Sequence, residues 1–164
     1  AKGLPYLPDV ARLEWAISLA LHAPRAPALT PDALRVVPEQ DQPSLIFVAH
    51  PSLSLLALGH PAKAIWEAVL TEDPAARAVR LAAIDIAAAG DILAILHGTD
   101  GLVLLQLSAA AYDLARALIE GRCLADALDL ARPEDAAALL GGLIGHGVFG
   151  RCDLPEPSNQ RHQE

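Results

Sequence analysis

The chain has 164 residues, 53% of them apolar, and a formal net charge of −8. That is enough apolar material for a packed core in one domain, or in one small domain with a substantial lead-in. The acidic balance gives no electrostatic reason to seek phosphate backbones or anionic membrane surfaces, and no charge-free apolar run of about 18 to 20 residues is present to span a bilayer. The sequence opens Ala1-Lys2-Gly3 and contains no Met, so the natural start is expected upstream; no secretory signal is visible, and a cytoplasmic, reduced protein is the default expectation. Cys123 and Cys152 are far apart and form no CxxC; a bridge between them is open, but two cysteines in so apolar a chain do not make a disulfide scaffold.

In chain order, residues 8–22 place Val10, Leu13, Ile17, Ala20 and Leu21 on one face at helical spacing, with Pro8 and Asp9 in the opening turn. A proline-punctuated connection follows, and Thr30-Pro31-Asp32 reads as an N-cap into a short helix through Val37. Residues 44–50 and 52–58 are β-prone, with Pro51 marking a bend between them. Residues 61–70 predict a helix with Ile65, Trp66 and Val69 buried, before Thr71–Ala76 breaks the pattern. Residues 78–86 fit either a helix by alanine content or a strand by alternation. They are assigned as a strand because the two clear strands that follow, 91–97 and 102–107, form a hairpin through Asp100-Gly101 that would be marginal without a third.

Ser108 then caps a helix to Glu120, Gly121 ends it, a second helix spans about 124–130, and Pro133 opens a third. The expected fold class is therefore α+β: a three-stranded antiparallel meander plus three helices in winged-helix-like order, preceded by an amphipathic helix and a short β segment. The expected division is a lead-in at 1–75, the module at 76–150 and a flexible tail at 151–164.

No catalytic residue, metal ligand or cofactor is assigned. Residues 145–150, GHGVFG, match G-x-G-x-x-G in letters, but a dinucleotide site needs a strand before the glycines and a helix after them. The glycines here are expected to end the third helix and turn Val148 and Phe149 back onto the core. The six histidines show no metal-ligand spacing. His50 and His60, each before a proline, read as turn or surface residues.

A winged helix can hold DNA or a polypeptide. Residues 91–150 carry eight acidic residues against three arginines, and the third helix has no Lys or Arg to meet bases and phosphates. Nucleic acid is therefore disfavoured, with a DNA-binding regulator kept as the alternative. A peptide needs none of that charge: it can add a strand beside residues 101–107 and pack side chains into an apolar groove. The candidate peptide-binding residues are Leu102, Val103, Leu104 and Leu105 on the strand, with Leu139, Leu140, Leu143 and Ile144 on the third helix. If residues 44–58 cover the edge of the sheet, the module is only structural.

Residues 78–149, with LVLLQLSAAAYDLARALIEGRCLADALDL and closing LIGHGVF, resemble the PqqD-like elements that bind leader peptides of ribosomally made, modified peptides. Residues 6–24, YLPDVARLEWAISLALHAP, with HPS at 50–52 and HPAKAIWEA at 60–68, resemble the HvfC/BufC family, related more distantly to MbnC and often given a DNA-binding label. The resemblance implies an N-terminal helical domain preceding this chain and a non-catalytic role as partner of an MbnB-type multinuclear iron oxygenase. In that role the chain would deliver a precursor peptide for modification in copper handling. It also implies an interface with the oxygenase around Tyr6, Trp15, His50 and Trp66, and iron ligands on the enzyme rather than here.

Overall fold

A computed structural model describes residues 4–130 and 135–155 and shows an α+β protein. In chain order the elements are α1 (Leu7–His22), α2 (Pro31–Arg35), β1 (Ile46–Ala49), β2 (Ser54–Ala57), α3 (Ala62–Val69), α4 (Pro74–Ala82), β3 (Ile92–Gly98), β4 (Gly101–Gln106), α5 (Ala109–Ile119), α6 (Leu124–Leu130), α7 (Ala136–Gly145) and β5 (Phe149–Asp153). Two compact units interleave along the sequence: Ala1–Arg25 with Pro51–Tyr112, and Ala26–His50 with Asp113–Glu164. Each unit thus draws on both sides of the expected 75/76 division. Residues 151–153, expected in a flexible tail, form the end of β5.

The first unit is a helical layer on a three-stranded antiparallel sheet of order β2-β3-β4. Leu13, Ala16, Ile17 and Ala20 of α1 are buried against Leu58, Ala62, Leu93 and Ile95, and Val10, Leu56, Trp66, Leu102 and Leu104 pack around this cluster. The two-residue alternation of a strand explains the set, because Leu56, Leu93 and Ile95 share a sheet face with Leu102 and Leu104 through the register Leu56↔Leu93 and Ile95↔Leu104. Leu21, which the periodicity assigns to the buried face of α1, is 49% exposed. In α3, Ile65 is buried as expected, Trp66 is half-buried and Val69 is exposed.

The strand expected at 78–86 is instead the C-terminal half of α4 and the turn after it. Asp73 decides this locally: its Oδ2 accepts the Ala76 N–H at 2.8 Å, and Pro74 occupies the first turn. The third strand of the sheet comes from β2, paired Ser54↔Ile95 through Ala57↔Ile92. The β3–β4 hairpin closes through Gly98↔Gly101; among the described residues no non-glycine residue has positive φ, and Gly101 takes φ +122° after Thr99 and Asp100.

In the second unit, β1 and β5 pair antiparallel, and Phe47 and Phe149 pack with ring centroids 4.9 Å apart and ring planes tilted by 59°. Leu114, Leu118, Leu124, Leu143, Val148 and Phe149 are among its buried residues. The expected succession of three helices is present in α5, α6 and α7, although Pro133, expected to open the third, lies outside the described residues.

Helices α5 and α7 end in the same way. Arg122 N–H donates to Ala117 O and Gly121 N–H to Leu118 O; Val148 N–H donates to Leu143 O and Gly147 N–H to Ile144 O. These paired bonds across a left-handed glycine, Gly121 at φ +91° and Gly147 at φ +76°, satisfy the last carbonyls of each helix. They also turn Val148 and Phe149 into the core, as the glycine pattern predicts.

Cys123 bridges to Ile46 on one side of β1, and Cys152 pairs with Phe47 on the other. Consecutive strand residues face opposite ways, so the two thiols lie on opposite sheet faces and two strand spacings apart, beyond the reach of a disulfide. Both are free. Denatured, unreduced protein is expected to titrate two thiols per chain, with the same electrophoretic mobility before and after reduction.

Gly90 has no room for a side chain: a Cβ there would lie 1.9 Å from Leu58 O and 2.6 Å from Gly59 C, both backbone atoms. Gly90→Ala is therefore expected to lower stability by about 2 to 3 kcal/mol in chemical denaturation, through forced backbone displacement.

Candidate functional site

A feature of this fold that can take a ligand is the outer edge of β4. Leu107 N–H donates to Ile92 O at 2.8 Å, so in steps of two Leu105, Val103 and Gly101 turn their amides toward β3. The backbone groups of Leu102, Leu104 and Gln106 point the other way. Among the described residues no strand pairs with them: β1 belongs to the other sheet, and β2 pairs with β3 on the side away from β4. Residues 44–58 thus leave this edge uncovered by strand pairing.

Helix α3 borders that edge. Lys63 N–H donates to Asp91 Oδ2 at 2.8 Å, which anchors the first turn of α3 to the start of β3, and Lys63 Nζ donates to Leu104 O at 3.4 Å. Pro61 at the head of α3 offers no capping side chain, so Asp91 supplies the cap from 28 residues downstream of Lys63. Trp66, one turn further along α3, packs on the same cluster as Leu102 and Leu104. The edge therefore combines outward amides, an aliphatic and aromatic face, and one ammonium.

The residues expected to bind peptide divide between the units. Leu102, Val103, Leu104 and Leu105 are half-buried on β4 in the first unit, with Leu102 and Leu104 facing α1 and Val103 and Leu105 on the opposite face. Leu139, Leu140, Leu143 and Ile144 are on α7 in the second. Leu143 at 2% and Ile144 at 4% exposure are core residues, which corrects their reading as groove lining; Leu139 and Leu140 are half-buried.

Of the residues expected at a partner interface, Trp15 is 67% exposed on α1, while Tyr6 and Trp66 are half-buried. His50 does not fit that role or the surface-turn reading: it is 4% exposed, its N–H donates to Val148 O, and Nε2 lies 3.0 Å from Ala26 O. It fastens the connection after α1 to the end of β1, within the second unit. Sequence reasoning missed Lys63 and Asp91. Lys63 is the single lysine among the described residues of a chain otherwise supplied with arginine, which is the signal that was there to be read.

A second polar cluster secures the opposite, β2 edge of the sheet. Asp9 Oδ2 accepts the Gly59 N–H at 3.0 Å and lies 2.7 Å from His60 Nδ1, and Arg12 reaches both Asp9 Oδ1 at 3.5 Å and Ala57 O at 3.3 Å. The hydrogen bond from His60 is the main cause that holds the Asp9 carboxyl below its ordinary value of 3.8, against the opposing effect of desolvation. This cluster ties the first turn of α1 to the β2–α3 turn. Among the described residues no group of three His, Cys, Asp or Glu side chains could hold a metal ion, and no helix is long and apolar enough to cross a membrane.

The fold and the site define an α+β protein with a strand edge bordered by a helix. Comparison of the chain with family models, curated proteins and solved structures gives no match.

Because the folded-state pKa of Asp9 is lowered, the ionised carboxylate contributes stability that is fully present above pH 3.8 and is lost as the pH falls through the lower folded value. Asp9→Asn is expected to lower stability at neutral pH and to flatten the loss below pH 3.8. Denaturation midpoints measured from pH 2 to pH 7 check both.

Proposed function

We propose that this chain is a non-catalytic subunit that binds a precursor (leader) peptide and presents it to an MbnB-type multinuclear iron oxygenase, in ribosomal peptide modification linked to copper handling. The open outer edge of β4 is the observation that carries the peptide-binding part of this reading. Three consecutive outward positions, Leu102, Leu104 and Gln106, offer amide and carbonyl groups to an extended segment, and each backbone hydrogen bond contributes about 0.5 to 1.5 kcal/mol net. The resemblance of residues 6–24 and 60–68 to the HvfC/BufC family supports the oxygenase as partner. Trp15 on α1 and Tyr6 just before it, with Trp66 on α3, are the side chains this reading offers to the enzyme. A cytoplasmic location accompanies it.

The acidic balance and the lack of Lys or Arg in α7 favour a peptide over DNA. Strand addition makes a stronger demand than affinity alone, because only every second residue of the ligand turns its N–H toward β4. Titrating the leader peptide encoded nearby is expected to give saturable binding, and methylating its backbone nitrogens one at a time is expected to weaken it at alternate positions. Each sensitive position should cost about three- to tenfold in Kd. No saturable binding in the presence of the oxygenase, or a methylation profile without the two-residue period, would overturn the reading.

A further inference from the structure

We infer that Lys63 selects an acidic side chain in the strand that β4 accepts; this rests on the peptide-binding reading above and names the chemistry of its ligand. The Lys63 ammonium is 3.4 Å from Leu104 O, the outward carbonyl at the middle of the open edge. An added strand has to bring its own N–H to that carbonyl, so Nζ stands where the ligand backbone comes to lie. Among the described residues no carboxylate forms an ion pair with this ammonium. The Asp91 carboxylate meets Lys63 through the backbone N–H instead.

A half-buried ammonium that yields its carbonyl to an incoming strand has to find another acceptor, since leaving a charged donor unsatisfied carries the desolvation cost. A carboxylate on the added strand, on the side facing α3, is the strongest acceptor available there, because it meets the ammonium with a full negative charge where the carbonyl offers only a dipole. A basic residue at the same register is opposed by like charge. Without such a ligand the same lysine protects an open edge from chance pairing, a common use of lysine on edge strands. Lys63 therefore both guards the edge and reads the peptide that opens it.

The test uses random eight-residue peptides displayed on phage and selected against the full chain, its Lys63→Met form and its Lys63→Glu form. The unmodified chain is expected to enrich alternating apolar peptides with Asp or Glu at one fixed position. Replacing that residue by Asn or Gln in the synthetic peptide should weaken binding about fivefold on the unmodified chain and less than about twofold on Lys63→Met. Lys63→Glu should enrich Lys or Arg at the same position, and Lys63→Arg should retain the acidic preference.

Peptides enriched without an acidic position, or an amide replacement that costs the same on Lys63→Met, would overturn the role of Lys63 and leave strand addition standing. Failure of the unmodified chain to enrich any alternating peptide would overturn strand addition itself. The amide replacement on the unmodified chain needs no protein variant, so a variant that folds poorly does not remove the test.

Discussion

Leu58 and Asp91 meet through the Leu58 N–H and Asp91 O at 2.8 Å, Asp91 N–H returns to His60 O at 3.3 Å, and the Asp91 carboxylate takes the Lys63 N–H at 2.8 Å. The contact leaves no space for a side chain at position 90. This corner joins the end of β2 and the head of α3 to the start of β3, across the excursion that contains α3 and α4. It fixes the β2–β3 register and sets the side of the sheet on which α3 lies. Since Lys63 is the second residue of α3, the same corner places the ammonium beside Leu104. The sheet and the proposed site thus depend on one close approach of backbone.

An open three-stranded sheet has two edges, and here each has a cation on an outward carbonyl: Arg12 on Ala57 O of β2, and Lys63 on Leu104 O of β4. Their surroundings differ. Arg12 also pairs with Asp9, and Asp9 is held by His60 and Gly59, so the β2 edge belongs to a closed structural network. Among the described residues Lys63 has no such carboxylate and has a neutral carbonyl as its partner. Unpaired backbone groups on an edge invite another strand, and a lysine makes that invitation selective. The proposed function depends on this difference between the two edges.

Most of the helices were legible in the sequence because their signals are local. Pro8 with the apolar spacing of α1, Thr30 as the cap of α2, Ser108 as the cap of α5, and the glycines after α5 and α7 each act within a few residues of the element they define. The hairpin was legible for the same reason. Residues 78–86 were misread because a long-range inference, the need for a third strand, decided between strand alternation and alanine content, while the local Asp73-Pro74 cap went unread. The third strand was needed, but it came from residues 54–57, and periodicity carries no information on which of two β-prone segments a sheet recruits. His50 was read as a turn or surface residue and Leu143 as groove lining on chain position and pattern, whereas burial depends on what the remote chain brings to them.

By itself the sequence determined the α+β class, the hairpin, the helix ends and a charge balance that disfavours nucleic acid, since these follow from residue types acting on near neighbours and on the net field. Tertiary structure alone decided that β2 completes the sheet, that no strand among the described residues pairs with the β4 edge, that the two cysteines lie on opposite faces, and that Lys63 reaches Leu104 O. The physical reason is the same in each case. Strand partners, remote caps and close backbone approaches link residues tens of positions apart, and their energy exists only once both segments are in place.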